Sequence, residues 1–258
     1  MKIVVLLKMV PDVVEELEIA PDGKSLDTTY LRMILNDSDN HALEEALLLK
    51  ERHGGKVCLL APDAPEVDDA LFAALAKGAD RAVKIAGIDA AEGTRAVVAR
   101  IVQALSTADL LPADLILTGA QAIDDLDGLV APLLAQTLRW SHLSVVNQVR
   151  FDASTGVTTV TKEFPGGLRA EFEIKLPAVL GIQSAEKPPR YVPVAKVRAA
   201  MKSLQIDSTT VPIAAGMPAL EIQSMAKPSA AGHAEMLEGL PEAVAGKLCD
   251  VLAAHGLL

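Results

Sequence analysis

The sequence predicts an α/β fold: a doubly wound, mostly parallel sheet with a β-hairpin extension and a C-terminal arm. Two observations support this. Short aliphatic runs alternate with segments of helical periodicity, and the 258 residues are 50% apolar but only 3% aromatic. Strands that alternate with helices are typical of a parallel sheet covered on both faces. A chain of this length also buries a large core, which must here be aliphatic.

Four predicted strands form the parallel part of the sheet: residues 3–7, 56–61, 81–85 and 114–118. Helices are predicted between and after them at residues 40–52, 67–77, 93–105 and 128–138. Ser38 or Asp39 is the expected N-cap of the first helix, because short polar side chains accept hydrogen bonds from the free N–H groups of a first turn. Gly54 and Gly55 are expected to end that helix.

The pattern changes after residue 144, where three short β runs at 145–151, 157–164 and 169–174 are separated by turn-forming segments. These runs predict antiparallel additions to the sheet. Residues beyond about 190 are rich in Pro, Ser, Ala and Gly, and such a segment cannot build a core of its own. We therefore divide the chain into an α/β nucleotide-binding-like domain at residues 1–190 and an arm at residues 191–258.

The arm ends in a predicted helix at residues 241–255. Its apolar side chains form one stripe: Val244, Leu248, Val251 and Leu252. A lone helix with such a stripe needs a docking surface, since its apolar face must be buried against another element.

The charge balance argues against several classes of partner. The formal net charge is −10, and the densest basic stretch, residues 196–202, holds three cations. Such a chain repels phosphate backbones and anionic lipids, so we expect no nucleic-acid partner. The two cysteines form no CxxC motif, and no apolar run approaches the length of a membrane span. We expect a soluble, cytoplasmic protein with no membrane span.

Catalytic signatures are missing, which points to a binding or carrier protein. The sequence has no Walker, dinucleotide-binding, nucleophile-elbow or zinc-protease motif. The loop at residues 117–128 follows a strand and precedes a helix, where ligands bind in open α/β sheets. Gly119 permits a close turn, and the N–H groups of Gly128, Leu129 and Val130 could face an anion. By spacing alone this loop is either a nucleotide site or an acidic surface loop.

Six motifs, in order along nearly the whole chain, resemble the β subunit of electron-transfer flavoproteins. Residues 8–12 resemble the family's opening loop, and residues 166–179 resemble its hairpin. Glu186 together with Pro-Arg-Tyr at 189–191 resembles the family's Asn-Glu-Pro-Arg-Tyr. Asn-Asp-Ser-Asp at 36–39, followed by Ala-Leu-Glu-Glu-Ala at 42–46, resembles the family's helix entry Asn-Pro-Phe-Asp-Glu. Residues 74–81 are similar to Ala-Leu-Ala-Met-Gly-Ala-Asp-Arg, and residues 119–125 to Gly-Lys-Gln-Ala-Ile-Asp-Asp.

This resemblance implies an adenine-nucleotide α-hydrolase-like fold and a heterodimer with an α subunit that holds most of the FAD. The pair would carry electrons between a flavin dehydrogenase, expected to be of the acyl-CoA type, and a redox acceptor. The chain would therefore be an electron carrier subunit and not an enzyme. In the family the β subunit binds AMP, and in one branch a second FAD takes that place and supports electron bifurcation.

Carried over by position, the adenylate would contact a set of residues at the ends of the parallel strands and at one helix start. The set is Leu6, Asn36, Pro62, Gly119, Ala120, Gln121, Ala122, Ile123, Gly128, Leu129 and Val130. The last three stand where the family has Asn-Gln-Thr, so side-chain donors to the phosphate are lost. The chain thus resembles an atypical member with altered nucleotide-binding residues, and whether it holds AMP, a second FAD or nothing stays open.

The resemblance also places a partner-docking loop at Pro189, Arg190 and Tyr191, with an apolar anchor at Val194. The alternative is a Pro-rich linker that packs only on its own subunit. Two other functions remain open: a stand-alone adenine-nucleotide-binding protein and a nucleotide-free structural subunit of a flavoprotein complex. The sequence lacks the Gly-x2-Gly-x9-Gly-Ser/Thr loop that such ATP binders use, which argues against the first of these functions.

Overall fold

The computed structural model describes residues 1–88, 92–124, 127–212, 222–228 and 234–258. Its strands are β1 (Lys2–Leu6), β2 (Met9–Pro11), β3 (Met33–Leu35), β4 (Lys56–Pro62), β5 (Arg81–Ala86), β6 (Leu115–Gly119), β7 (Ser141–Asp152), β8 (Val157–Phe164), β9 (Leu168–Ile174), β10 (Ala178–Ile182) and β11 (Ile206–Thr210). Its helices are α1 (Asp37–His53), α2 (Val67–Lys77), α3 (Thr94–Thr107), α4 (Val130–Leu138), α5 (Val194–Ser203) and α6 (Pro241–Ala254).

Nine strands form one sheet in the order β11-β5-β4-β1-β6-β10-β7-β8-β9. The seven strands from β11 to β7 run parallel, and β8 and β9 add antiparallel to the β7 edge. The predicted doubly wound sheet with a hairpin extension is therefore confirmed. The short β2–β3 hairpin forms a separate antiparallel pair beside the main sheet.

Two aliphatic cores cover the two faces of the sheet. In β1, Ile3 and Val5 pack into the core beneath α1 and α2, whereas Val4 and Leu6 pack into the core beneath α3 and α4. The alternation arises because successive strand side chains point to opposite faces. Buried strands of this kind read as continuous aliphatic runs, which is why β1, β4, β5 and β6 could be predicted from the sequence.

Two helix starts differ from the sequence prediction. Asn36 is the N-cap of α1, in place of Ser38 or Asp39. Asp39 lies inside the first turn, where its carboxylate turns toward the sheet and accepts other hydrogen bonds. The last helix of the parallel part, α4, begins at Val130 and not at residue 128, because Gly128 has a φ of +60° that no α-helix contains.

Residues 194–210 form two elements that the sequence analysis did not predict. Helix α5 packs against α2, and β11 pairs in parallel with β5, from Ile206 opposite Ala82 to Thr210 opposite Ala86. The beginning of the predicted arm thus extends the main sheet. The buried guanidinium of Arg100 donates to the carbonyl oxygen of Val211 at 3.2 Å and ties the chain beyond β11 to α3.

Among the described residues of the rest of the arm, Met225 and Lys227 contact the segment between β2 and β3. The N–H of Met225 donates to the carbonyl oxygen of Gly23 at 2.7 Å, and Lys227 forms ion pairs with Glu16 and Glu18. Helix α6 buries none of its residues. Among the described residues, no helix is long and apolar enough to cross a membrane.

Candidate functional site

The candidate site lies where the order of the parallel strands reverses. From β1 the chain continues through α1 to β4 on one side, and it returns through α3 to β6 on the other side. Leu6, Pro62 and Gly119 therefore end three neighbouring strands at one edge of the sheet. Ligands of open α/β sheets bind outside the carboxyl ends of the strands at such a point.

The side chain of Asp39 fills the crevice at this edge. Its Oδ1 accepts the N–H of Gly119 at 2.6 Å, and its Oδ2 accepts the N–H of Lys8 at 2.9 Å. Asn36 closes the same region, because its side-chain amide donates to the carbonyl oxygen of Gln121 at 3.1 Å. Asp39 is 6% exposed, and burial raises its pKa to about 7 although the hydrogen bonds from Gly119 and Lys8 oppose this shift.

Gly119 is a glycine because α1 approaches β6 too closely for a side chain. A Cβ atom built there would lie 2.5 Å from Oδ1 of Asp39 and 2.8 Å from Cβ of Ser38. Such distances are well inside van der Waals contact. The crevice at this glycine is therefore occupied by the chain's own first helical turn.

An ion pair spans the outer side of the crevice. Nζ of Lys8, in the loop after β1, lies 2.7 Å from Oδ1 of Asp124, in the loop after β6. Ala120 and Ala122 in the loop after β6 are buried, and Ile123 is half exposed. Residues 125 and 126 of the predicted nucleotide loop lie outside the described residues.

The start of α4 does not fit a phosphate. The N–H of Leu129 donates to Oδ1 of Asp127 at 2.9 Å, and the other oxygen of Asp127 accepts the hydroxyl of Thr94 at 2.8 Å. A carboxylate thus stands where the positive end of the helix would face an anion, and it would repel a phosphate. Gly128 and Val130 offer no side-chain donors in its place.

The predicted docking residues are held on the opposite side of α1. Arg190 donates from its guanidinium to Glu44 at 2.8 to 3.0 Å and also pairs with Glu51 at 2.5 Å. Glu44 is almost fully buried, and it also accepts the backbone N–H of Arg190 at 2.9 Å. Tyr191 and Val194 follow with exposures of 82% and 59%. Arg190 is therefore a positioning residue, whereas Tyr191 and Val194 present the free surface.

Further side chains of α1, which the sequence analysis did not single out, hold residues 183–190. Glu45 accepts the N–H groups of Val149 and Glu186 at 2.7 and 2.9 Å, and burial raises its pKa. Nδ1 of His41 accepts the N–H of Ala185 at 3.1 Å. Arg52 binds Glu186 with two hydrogen bonds and lowers its pKa to about 2. Helix α1 thus connects the crevice on one side with the docking segment on the other.

The described residues contain no group of His, Cys, Asp and Glu side chains that could hold a metal ion. Cys58 is a buried free thiol and Cys249 an exposed one.

The titration of Asp39 leads to a testable prediction. Because its pKa is higher in the folded protein than its ordinary 3.8, ionising Asp39 lowers stability, and the free energy of unfolding should fall between about pH 4 and pH 7. The change is about 1.4 kcal/mol per pH unit. Asp39→Asn lacks this titration. The free energy of unfolding of the wild type, relative to that of Asp39→Asn, should therefore fall by about 2 to 3 kcal/mol from about pH 5 to about pH 8. Urea unfolding at both pH values measures it, and a constant difference would contradict the assignment.

These features define a class: an α/β protein of nucleotide-binding topology whose first helix holds the exposed segment predicted to dock a partner. A family model described as the electron transfer flavoprotein domain matches residues 24–214. The chain belongs to the electron transfer flavoprotein family, and the predicted resemblance is confirmed.

The relatives found are β subunits of this family. The chain is 31% identical to the electron transfer flavoprotein subunit beta of Methylophilus methylotrophus over 98% of both chains. It is 34% identical to the subunit beta of Clostridium acetobutylicum, over 78% of this chain and 75% of the relative. It is 32% identical to the mitochondrial subunit beta of Arabidopsis thaliana, over 82% of each.

Proposed function

We propose that this chain is the β subunit of a heterodimeric electron carrier, in which an α subunit holds FAD and the pair moves electrons between a dehydrogenase and an acceptor. The observation that carries the proposal is α6. It buries none of its residues, yet Leu248 and Val251 expose about half of their apolar side chains on one stripe. Such a helix needs a second chain to cover it, since isolated helices of this length are marginal in water.

A second exposed apolar surface supports the same partner. Val13, Val14 and Tyr30 lie in the loops around the β2–β3 hairpin with exposures of 55%, 92% and 95%. Lys227 and Met225 of the arm contact the same loops. Part of the arm thus lies beside this surface, and we propose that the partner subunit that covers α6 covers it as well.

The experiment is co-expression with an α-type subunit. We expect a stable complex of one copy of each chain that shows the visible absorption of flavin, and we expect the chain alone to be colourless. FAD supplies reversible electron uptake when it is bound. In this proposal the side chains of this chain bind the α subunit and dock the dehydrogenase, while the FAD carries the electrons. A colourless monomer that binds no flavoprotein would contradict the proposal.

We propose further that the crevice at Gly119 works without a nucleotide. Gly128, Leu129 and Val130 lack the side-chain donors that the family has at the start of α4. The carboxylate of Asp127 accepts the N–H of Leu129 there, where it would repel a phosphate. This arrangement supports a structural β subunit over one that holds AMP or a second FAD, and it gives no support to bifurcation. Denaturing the purified complex and weighing the released small molecules should yield FAD alone, whereas AMP in equal amount would contradict it.

Tyr191 and Val194 are proposed to dock the dehydrogenase, for which an acyl-CoA type remains our expectation. Binding energy concentrates in a few apolar or aromatic anchors that become buried. Val194→Asp should raise KM for the complex as the electron acceptor of that dehydrogenase about tenfold, with kcat and thermal stability unchanged. Pro189 and Arg190 set the path of the loop. An unchanged KM would show that this segment is only a linker.

The two free thiols, Cys58 and Cys249, support the cytoplasm as the compartment, since reducing conditions keep cysteines unpaired. Fractionation of the native organism with an antibody to this chain tests that assignment.

A further inference from the structure

A groove of about 360 Å³ lies between α2 and the β2–β3 hairpin, with the first turns of α1 at one end. Much of its lining is apolar and includes Met9, Met33, Leu35, Leu43, Ala70 and Ala74. Methionine side chains adapt to the shape of a binding partner, and alanines on α2 let that partner approach closely.

The two ends of the groove carry opposite charge. Lys77 lies at the C-terminal end of α2, and Glu66 and Asp69 lie at its N-terminal end beside Arg32. The stripe from Glu66 to Lys77 covers eleven helical steps, or about 16 Å. A protein helix of about three turns matches this length.

Lys77 has a neutral hydrogen-bond partner. Its Nζ donates to the amide Oδ1 of Asn40 at 2.8 Å, and burial lowers its pKa. The family motifs quoted above have Glu at the position of Asn40 and Met at the position of Lys77. Both differences make this end of the groove more positive, and the buried carboxylate of Glu44 nearby is already paired with Arg190.

The basic end of the groove lies next to the proposed docking segment. Lys77 is close enough to Glu44 and Arg190 for both charges to act on it, and Glu44 is the residue that fixes Arg190. Helix α5, which begins at Val194, packs on α2 itself. The groove is therefore lined by the helix on which α5, beginning at Val194, packs.

We propose that this groove is the second half of the dehydrogenase-docking surface and that it receives an amphipathic helix of the dehydrogenase, antiparallel to α2, whose first turn brings a carboxylate to Lys77. The inference rests on the docking role proposed above. In natural helices acidic residues favour the first turn and basic residues the last. An antiparallel helix thus meets Lys77 with its acids and Glu66 and Asp69 with its bases, while its apolar face covers the methionines.

The test uses the complete flavin-containing complex with Lys77→Met, and Lys56→Met as the matched control. Lys56 is exposed at the start of β4 and is not among the residues that line the groove. In Lys77→Met, KM for the complex as electron acceptor of the dehydrogenase should rise about tenfold at low salt, with kcat unchanged and a weaker dependence of KM on salt. The same variant should have an equal or higher melting temperature, because the apolar, flexible Met side chain packs well in an apolar groove. Lys56→Met should leave KM, kcat and its salt dependence unchanged.

Rising KM together with undiminished stability separates docking from a structural role. A Lys77→Met variant with wild-type KM, measured beside a Val194→Asp variant with raised KM, would overturn the inference and leave the docking segment intact. Lower stability with equal losses in KM and kcat would also overturn it. If no dehydrogenase reduces the wild-type complex, the proposed function itself fails, and the inference fails with it.

Discussion

Replacing both Leu248 and Val251 with Asp should abolish the complex with the α subunit. Both side chains are about half exposed on the apolar stripe of α6, which buries no residue within the chain. Losing two apolar anchors and placing two charges in an interface should weaken association by about a thousandfold or more. Co-purification of the two chains and flavin content of the product measure the effect.

The matched control for this variant is Asp250→Ala. Asp250 lies on the same helix but points about 160° away from Leu248. It should leave the complex intact, and the double variant should leave the melting temperature of the isolated chain unchanged. Full retention of the α subunit by the double variant would mean that α6 is not part of the interface.

Gly119→Ala should destabilise the fold by about 2 to 4 kcal/mol, because the new Cβ would push Asp39 and Ser38 out of the crevice. The shift would also break the hydrogen bond from the N–H of Gly119 to Asp39. Urea unfolding measures the loss. The effect depends on close approach and not on backbone strain, since Gly119 does not have a positive φ.

Gly246→Ala is the control for this prediction. A Cβ at Gly246 meets no atom within 4 Å, and the residue lies inside α6, where Ala is a better helix former. It should be neutral or stabilising by up to about 1 kcal/mol. A Gly119→Ala variant within about 0.5 kcal/mol of the wild type would show that α1 does not pack on β6 as described.

The parallel strands and their helices could be predicted because burial on both faces leaves uninterrupted aliphatic runs, as in β1 and β4. Helix α5 and β11 could not, since their sequences are polar on the exposed side and lie within a Pro-rich stretch. Strand β11 acquires its conformation from pairing with β5, which is a tertiary effect.

The candidate site was only partly predictable for a related reason. The end of a strand is identifiable from the sequence, so the loop at Gly119 followed from the pattern, whereas Leu6 and Asn36 were assigned by the family resemblance. Asp39 resembled an ordinary N-cap, and nothing local indicated that its carboxylate would bind the backbone of two distant loops. Glu44 and Glu51 are seven residues apart and share one face of α1, so this spacing was a usable signal for a basic partner such as Arg190.

The mass of the intact complex tests the central claim most directly. Co-expressed with an α-type subunit and weighed under non-denaturing conditions, the protein should give one copy of each chain plus one FAD, with no additional nucleotide. A chain that stays monomeric or pairs with itself, or that carries its own flavin or an AMP in the crevice beside Asp39, would contradict the account.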